Sequence, residues 1–205
     1  MPLLTHHPEA KVVRVQLRQN LILKQLNPRQ WEQIEPLLEV VDYPKNESLE
    51  HQGAQSVDQY FVLDGILKRV VSNAQGKEMI LRFAAESDID TSYAAWRLKT
   101  PVPYSIRTVT KVRAAKLSME QWVRFLKQHP EVKNAFEFEI MKLMSEVMAH
   151  TITMHLLDAP GRVQRFMRKH ADLAGRLPKK ELACYLNLSP ETLSRLKRRG
   201  KIDLQ

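Results

Sequence analysis

A chain of 205 residues, 43% of them hydrophobic, has enough apolar content to fold as one large domain or two small ones, which excludes disorder throughout. Thirty-two lysines and arginines against 23 acids give a formal charge of +9, which favours polyanions, nucleic acid first and an anionic membrane surface second. The single cysteine, Cys184, excludes an intramolecular disulfide and any cysteine-based zinc or iron–sulfur site within one protomer. The start, Met1 to His7, lacks the basic-then-apolar pattern of a secretory signal, and no uncharged stretch is long enough to span a bilayer. A soluble, cytoplasmic protein with no membrane partner is expected.

Residues 28–40 show helical spacing, with Trp31, Ile34, Leu37 and Leu38 on one side. Pro36 falls inside, predicting two short helical pieces or one that bends. After Tyr43-Pro44 the pattern changes to short strands at 59–63 and 66–71, separated by Asp64-Gly65, a strong hairpin signal. Residues 72–76 read as a turn before a strand at 78–83, and two more strands at 105–109 and 112–117 are parted by Thr110-Lys111. Closely spaced strands with tight turns predict an antiparallel roll or barrel.

Residues 119–128 look helical and stop at His129-Pro130. From Pro130 there is no Gly or Pro until Pro160, which predicts a helix running to about Leu157, roughly 40 Å long. Two apolar stripes run along it. Phe136, Ile140, Leu143, Val147, His150 and Met154 step by four and three, as a coiled-coil seam does; Met141, Met144, Met148, Ile152 and His155 form a neighbouring stripe. A helix with two apolar faces needs two partners, and its own β-domain supplies one. The first stripe is therefore the expected seam of a homodimer, with a helix buried inside one domain as the alternative. Asp158-Ala-Pro-Gly161 breaks the helix, and Arg162 to His170 forms the next one with Val163 and Phe166 inward.

Most of the excess charge lies beyond this break. Arg162, Arg165, Arg168, Lys169, Arg176, Lys179, Lys180, Arg195, Lys197, Arg198, Arg199 and Lys201 are opposed by Asp172, Glu181, Glu191 and Asp203 alone. Within the same stretch, Leu182, Ala183 and Leu186 sit at helical spacing, and Asn187 can take the left-handed conformation that ends a helix. Leu188 plugs the turn, Ser189 is a good N-cap and Pro190 suits the first position of a second helix. Leu193 and Leu196 face inward. This is a helix-turn-helix, whose second helix meets base edges with its first turns. Glu191, Ser194 and Arg195 fall there: a carboxylate accepts from cytosine N4, a guanidinium forks onto guanine, and a hydroxyl serves either. Lys179, Lys180, Lys197, Arg198 and Arg199 are expected on phosphates, adding salt-dependent affinity without sequence information. An ordinary helical hairpin with a solvated charged face is the bland alternative.

These segments together resemble the Crp/Fnr family of bacterial regulators. Tyr60-Phe-Val-Leu-Asp-Gly-Ile-Leu-Lys68 is similar to the family's signature in its β-roll, and Gly76-Lys-Glu-Met-Ile-Leu-Arg-Phe83 to the next strand. Asp158-Ala-Pro-Gly-Arg-Val-Gln-Arg-Phe166 resembles the start of its DNA-binding domain, and Ser189-Pro-Glu-Thr-Leu-Ser-Arg195 its recognition helix in the Fnr-like branch. The resemblance implies an α+β chain. A cyclic-nucleotide-binding-like β-roll with flanking helices would occupy 1–129, a dimerisation helix 130–157 and a helix-turn-helix domain 158–205. It implies a dimer on a palindromic operator of double-stranded DNA with TTGA-like half-sites, a small-molecule effector, and RNA polymerase as a candidate partner.

The chain departs from that family in places. Cyclic-nucleotide binders use a Gly-Glu pair and a later arginine for the phosphate, whereas residues 84–93 contain no glycine and Tyr104 stands where the arginine is expected. An effector other than cyclic AMP, or none, follows. Ser87, Thr91, Tyr93, Trp96, Tyr104 and Ser105 are candidates for an effector pocket, with a pocket filled by its own aromatics as the alternative. Haem-binding relatives exist, and His51, His6, His7 or Pro2 are the ligands such a reading would offer, but isolated histidines are more often packed or surface residues and no cofactor is expected. Cys184 reads as a packed core residue, with a redox role as the alternative. The last residues, Gly200 to Gln205, leave room for a truncated wing of one strand at most. No nucleophile–base pair, metal-ligand spacing or phosphate loop suggests an enzyme. A ligand-sensing module acting through protein contacts alone remains as the other reading.

Overall fold

The computed structural model describes residues 2–198. Two helices precede the sheets: α1 (Ala10–Leu17) and α2 (Pro28–Ile34). Asn27 caps α2, its side chain accepting from the Gln30 amide at 3.0 Å while the Gln30 side chain accepts from the Asn27 amide at 2.9 Å, and Pro28 occupies the first turn. Pro36 sits in a separate 3-10 turn, Glu35–Leu37, so the segment is two pieces. The expected helical end at residue 40 is instead strand, because Val40, Val41 and Tyr43 are buried on both faces of the chain there.

Eight strands follow: β1 (Glu39–Tyr43), β2 (Ser48–Glu50), β3 (Asp58–Asp64), β4 (Leu67–Ser72), β5 (Glu78–Ala84), β6 (Ile89–Thr91), β7 (Ser105–Thr108) and β8 (Val112–Ser118). They form two four-stranded sheets, in the orders β1-β8-β3-β6 and β2-β7-β4-β5. On β3 the side-chain period of two sends Phe61 and Leu63 to a helix-covered core with Ile89, Ala115 and Trp122. Tyr60 and Val62 point the other way, to the roll interior with Tyr43, Leu67, Ile106 and Ala114.

This topology corrects one sequence expectation. Asp64-Gly65 does not close a hairpin: β3 and β4 lie in different sheets, as do β7 and β8 on either side of Thr110-Lys111. The two connections interlock instead. Ile66 N–H donates to the Thr110 hydroxyl at 2.9 Å and Val109 N–H to the Ile66 carbonyl at 2.8 Å. Gly65 has a φ of +91°, and a Cβ there would fall 2.1 Å from the Lys111 carbonyl oxygen, so glycine is required by both conformation and space. The turn at residues 73–77 does join neighbouring strands, β4 to β5.

Helix α3 (Tyr93–Leu98) and α4 (Met119–Gln128) bracket the last strands. Trp122 of α4 is fully buried, edge-on to Phe61 at 5.5 Å and to Phe136 at 5.4 Å, and stacked on Phe125 at 5.6 Å. Then come the long α5 (Pro130–Leu156), α6 (Ala159–Lys169), the short α7 (Ala171–Ala174), α8 (Lys179–Tyr185) and α9 (Pro190–Arg198). The chain divides into two compact units. One comprises residues 2–69 and 83–143; the other comprises 70–82 and 144–198. The division falls inside α5, and it places most of the β4–β5 hairpin with the C-terminal helices.

A second correction concerns α5. The expected dimer seam faces its own chain. Phe136 and Leu143 belong to the buried core around Trp122, Ile140 packs on that core, and the His150 ring stacks on Tyr185 at 3.9 Å. Val147 and Met154 are half-buried. The stripe left exposed is the neighbour, Met141, Met144, Met148, Ile152 and His155, and the exposed Phe138 and Leu156, outside the stripe expected from sequence, extend it. Both stripes were legible by spacing, but which one the roll covers depends on how α4 and α3 present Trp122 and Tyr93, information that lies outside α5.

Candidate nucleic-acid interface

The helix-turn-helix forms as its sequence directs. In α8, Leu182 and Ala183 are buried, and Asn187 has a φ of +52°, the left-handed conformation that ends the helix. Leu188 N–H donates back to the Ala183 carbonyl at 2.9 Å. The Ser189 hydroxyl accepts from the Thr192 amide at 3.1 Å, capping α9, and Pro190 is its first residue. Leu193 and Leu196 are buried beneath it.

The opposite face of α9 is open. Glu191, Arg195, Lys197 and Arg198 are exposed, and Ser194 is half-exposed with its hydroxyl donating to the Pro190 carbonyl at 2.7 Å. Hydrogen bonds from its own backbone amide and from Ser189 hold the Glu191 carboxyl below the usual range, so it is an ionised acceptor at the positive end of the helix. Lys179, Glu191, Ser194, Lys197 and Arg198 line one shallow surface depression. Lys180 is exposed at the start of α8 outside that depression. Arg199 and the expected wing at 200–205 lie outside the described residues.

Behind this face, Tyr185 of α8 is the hub of an aromatic cluster. His150 stacks on it, Phe166 meets it edge-on at 5.5 Å, and His170 lies at 6.5 Å. Burial lowers the His150 pKa to about 4, leaving a neutral ring at physiological pH. Cys184, half-buried, points its Sγ at the Glu78 carbonyl of β5 at 3.6 Å.

The candidate effector residues meet only in pairs, Tyr93 with Trp96 and Tyr104 with Thr91. Tyr93 and Trp96 stack on each other at 6.2 Å, with Tyr93 edge-on to Phe136, on the helix-covered side. Ser87 has a φ of +71° in the turn before β6, where its carbonyl accepts from the Asn20 side chain at 2.9 Å. Ser105 accepts from the Gln52 amide at 3.0 Å. Tyr104 does face the roll interior, and there it meets residues that sequence reasoning missed. The buried Arg69 guanidinium lies 4.7 Å over the Tyr104 ring, pairs with Asp90 at 2.7 Å and donates to the Thr91 carbonyl at 2.9 Å; the Tyr104 hydroxyl donates to that same carbonyl at 3.0 Å. Next to them the Ser92 hydroxyl donates to Glu50, whose carboxyl is pushed up to about 7, mainly by burial. The available signal was an arginine within the apolar run 66–71 and an aspartate within a short apolar strand.

Of the residues offered as haem ligands, His6 and His51 are exposed and His7 accepts from the Glu9 amide at 3.2 Å. Among the described residues no cluster of His, Cys, Asp or Glu could hold a metal ion, and no helix is long and apolar enough to cross a membrane.

Comparison with known proteins matches residues 40–129, from β1 to the end of α4, to the cyclic nucleotide-binding domain. The chain is 19% identical over 164 residues to the cAMP-activated global transcriptional regulator CRP of Salmonella typhimurium, covering 75% of this chain and 78% of that one. A solved structure from Eubacterium rectale, assigned to the crp/fnr family of transcriptional regulators, has a TM-score of 0.71 at 16% identity, over 89% of this chain and 87% of that one. The chain thus carries a match to the cyclic nucleotide-binding domain and is similar, over most of its length, to regulators of the Crp/Fnr family. Its fold is also that of the c-di-GMP-responsive global regulator CLP of Xanthomonas campestris, with a TM-score of 0.69 at 17% identity over 85% and 92% of the two chains. These Crp/Fnr relatives are regulators rather than enzymes. The Arg69–Asp90 pair lies inside the matched region.

Proposed function

We propose that this protein regulates transcription by binding a palindromic operator in double-stranded DNA as a homodimer, controlled by an effector other than cyclic AMP or by none. The observation that carries the reading is the open face of α9, where Glu191 and Arg195 project from a capped helix whose other face is held by Leu193 and Leu196. Lys179, Lys180, Lys197 and Arg198 surround that face with positive charge suited to phosphates.

The second chain fits the exposed stripe of α5. Phe138, Met141, Ser145, Met148, Ile152 and His155 are spaced alternately by three and four residues, a heptad pattern along the helix, with Met144 and Leu156 flanking it. So many large apolar side chains in water on one face call for a partner, and an identical helix supplies the same pattern.

The case against cyclic AMP rests on charge. A cyclic phosphate needs a cation with free hydrogen-bonding capacity, and the Arg69 guanidinium is already committed to Asp90, the Thr91 carbonyl and the Tyr104 ring. Adding an anion beside Asp90 would bury like charges together.

Selection of bound sequences from a random duplex pool, followed by anisotropy on the selected site, tests the reading. Wild type is expected to enrich a palindrome, and Arg195→Ala to weaken binding by about 1–3 kcal/mol while relaxing preference at one position of each half-site. Equal, salt-dependent binding of every duplex by both proteins would reject sequence-specific regulation in favour of a module acting through protein contacts. A rise in melting temperature with millimolar cyclic AMP would reject the effector claim alone.

A further inference from the structure

The junction between α5 and α6 holds one side chain that ties three main-chain carbonyls together. Arg162 donates from Nη2 to the Met154 carbonyl at 2.8 Å, from Nε to the Leu157 carbonyl at 2.9 Å and from Nη1 to the Leu186 carbonyl at 3.3 Å. Met154 lies in the last turn of α5 and Leu157 immediately follows it, where helical carbonyls run out of amide partners and the helix dipole is negative. Leu186 ends α8 and immediately precedes the left-handed Asn187 of the turn into α9.

The surrounding backbone gives this side chain little freedom. Asp158 caps α6 by accepting from the Gly161 amide at 2.9 Å, and the Arg162 amide donates to the Asp158 carbonyl at 3.0 Å. A Cβ on Gly161 would fall 2.9 Å from the Asp158 carboxylate oxygen, so the tight cap holds the segment just before Arg162. A guanidinium presents its donors in a fixed planar fork, and three of them engaged on two elements fix an orientation as well as a distance.

We propose that Arg162 is the positioning residue that sets the separation and angle of the two recognition helices, and so the half-site spacing the dimer accepts. The proposal rests on the reading of a dimer paired along α5. Under that reading each α9 inherits its place from the end of its own α5, through Arg162, the end of α8 and the turn at Asn187. Arg162 acts through Leu186. Losing it leaves the face of α9 intact but lets the angle between α9 and α5 vary. Two sites engage together only while the geometry permits, and the gain from linking them falls when it does not.

The test uses the full chain in anisotropy titrations against three sets of duplexes. These are the selected palindrome, the same half-sites moved by inserting or deleting one base pair, and an isolated half-site with its scrambled control. One base pair shifts a half-site by about 3.4 Å and rotates it by about 35°, so wild type should lose about ten-fold or more on either change. Arg162→Ala should bind the palindrome about ten-fold more weakly and hold less than about three-fold preference among spacings, while still separating half-site from scrambled control as wild type does. Arg162→Lys keeps the charge without the fork and should behave like Arg162→Ala. Three results would overturn the proposal: retained spacing preference in Arg162→Ala, loss of half-site discrimination along with spacing, or full recovery in Arg162→Lys. The second would make Arg162 a folding residue of the helix-turn-helix, and the third would make its charge, not its geometry, the cause. Wild type showing no preference for any half-site would instead take down the DNA-binding reading, and this proposal with it.

Discussion

Replacing Glu50 with glutamine should stabilise the roll, and the gain should grow with pH. Glu50 is 5% exposed, and burial moves its carboxyl from 4.5 to about 7, with Asp90 adding to the effect. Below pH 4.5 the folded and unfolded chains both carry the proton and nothing is lost. Between pH 4.5 and 7 the unfolded chain ionises first, so stability falls as pH rises through that window and the full cost is present above it. The size is about 3 kcal/mol, since each pH unit across such a gap is worth about 1.4 kcal/mol. Glutamine avoids the cost and keeps an amide oxygen that can accept from the Ser92 hydroxyl. At about 2–4 °C per kcal/mol for a chain of this size, Glu50→Gln should melt about 6–12 °C above wild type at pH 8 and within about 3 °C of it at pH 5. Differential scanning calorimetry in matched buffers measures both. An equal gap at the two pH values, or a less stable variant at pH 8, would show that the carboxyl is not held protonated by burial.

Three further expectations follow from the geometry. Arg69→Leu removes the guanidinium paired with the buried Asp90 carboxylate and should cost about 3–5 kcal/mol in urea denaturation, whereas Arg69→Met with Asp90→Leu should recover most of it; a double variant as unstable as the single would mean that the pair is not the main loss. Gly65→Ala should abolish or severely weaken folding, seen as loss of the cooperative thermal transition, while Gly76→Ala, also at positive φ but with open space around it, should cost about 1–2 kcal/mol. Met148→Glu should convert a dimer to a folded monomer in light scattering, while Leu143→Glu should unfold the first unit; the reverse pattern would restore the seam expected from sequence.

The parts of the fold that announced themselves are those fixed by local chemistry. The Ser189 cap, the αL residue Asn187 and the proline starts at Pro28, Pro130 and Pro190 each act within a few residues, and all formed where the sequence placed them. What failed was pairing. Asp64-Gly65 has the composition of a hairpin turn, yet the chain there leaves one sheet for the other, a choice made by the interlocked Thr110-Lys111 corner some 45 residues away. Likewise the two stripes of α5 were equally regular, and the covering of Phe136 rather than Met141 was decided by Trp122 and Tyr93. At the candidate site, Glu191, Ser194 and Arg195 were readable because a recognition helix is a local object. The Arg69–Asp90 pair was not, because its partners are 21 residues apart and meet only once β4 and β6 face across the roll.

Helix α5 has consequences for anyone who wants to take this protein apart. Its first half is anchored by Phe136 and Leu143 among the roll's residues, its second by His150 against Tyr185, and no glycine or proline interrupts it between. Proteins divided by a loop can be cut at the loop and each piece studied alone. Here a cut before Pro130 strips the Trp122 cluster of Phe136 and Leu143, and a cut after Leu156 deprives Arg162 of the Met154 carbonyl and Tyr185 of its stacked imidazole. Limited proteolysis should therefore yield either the whole chain or small fragments, with no stable half surviving.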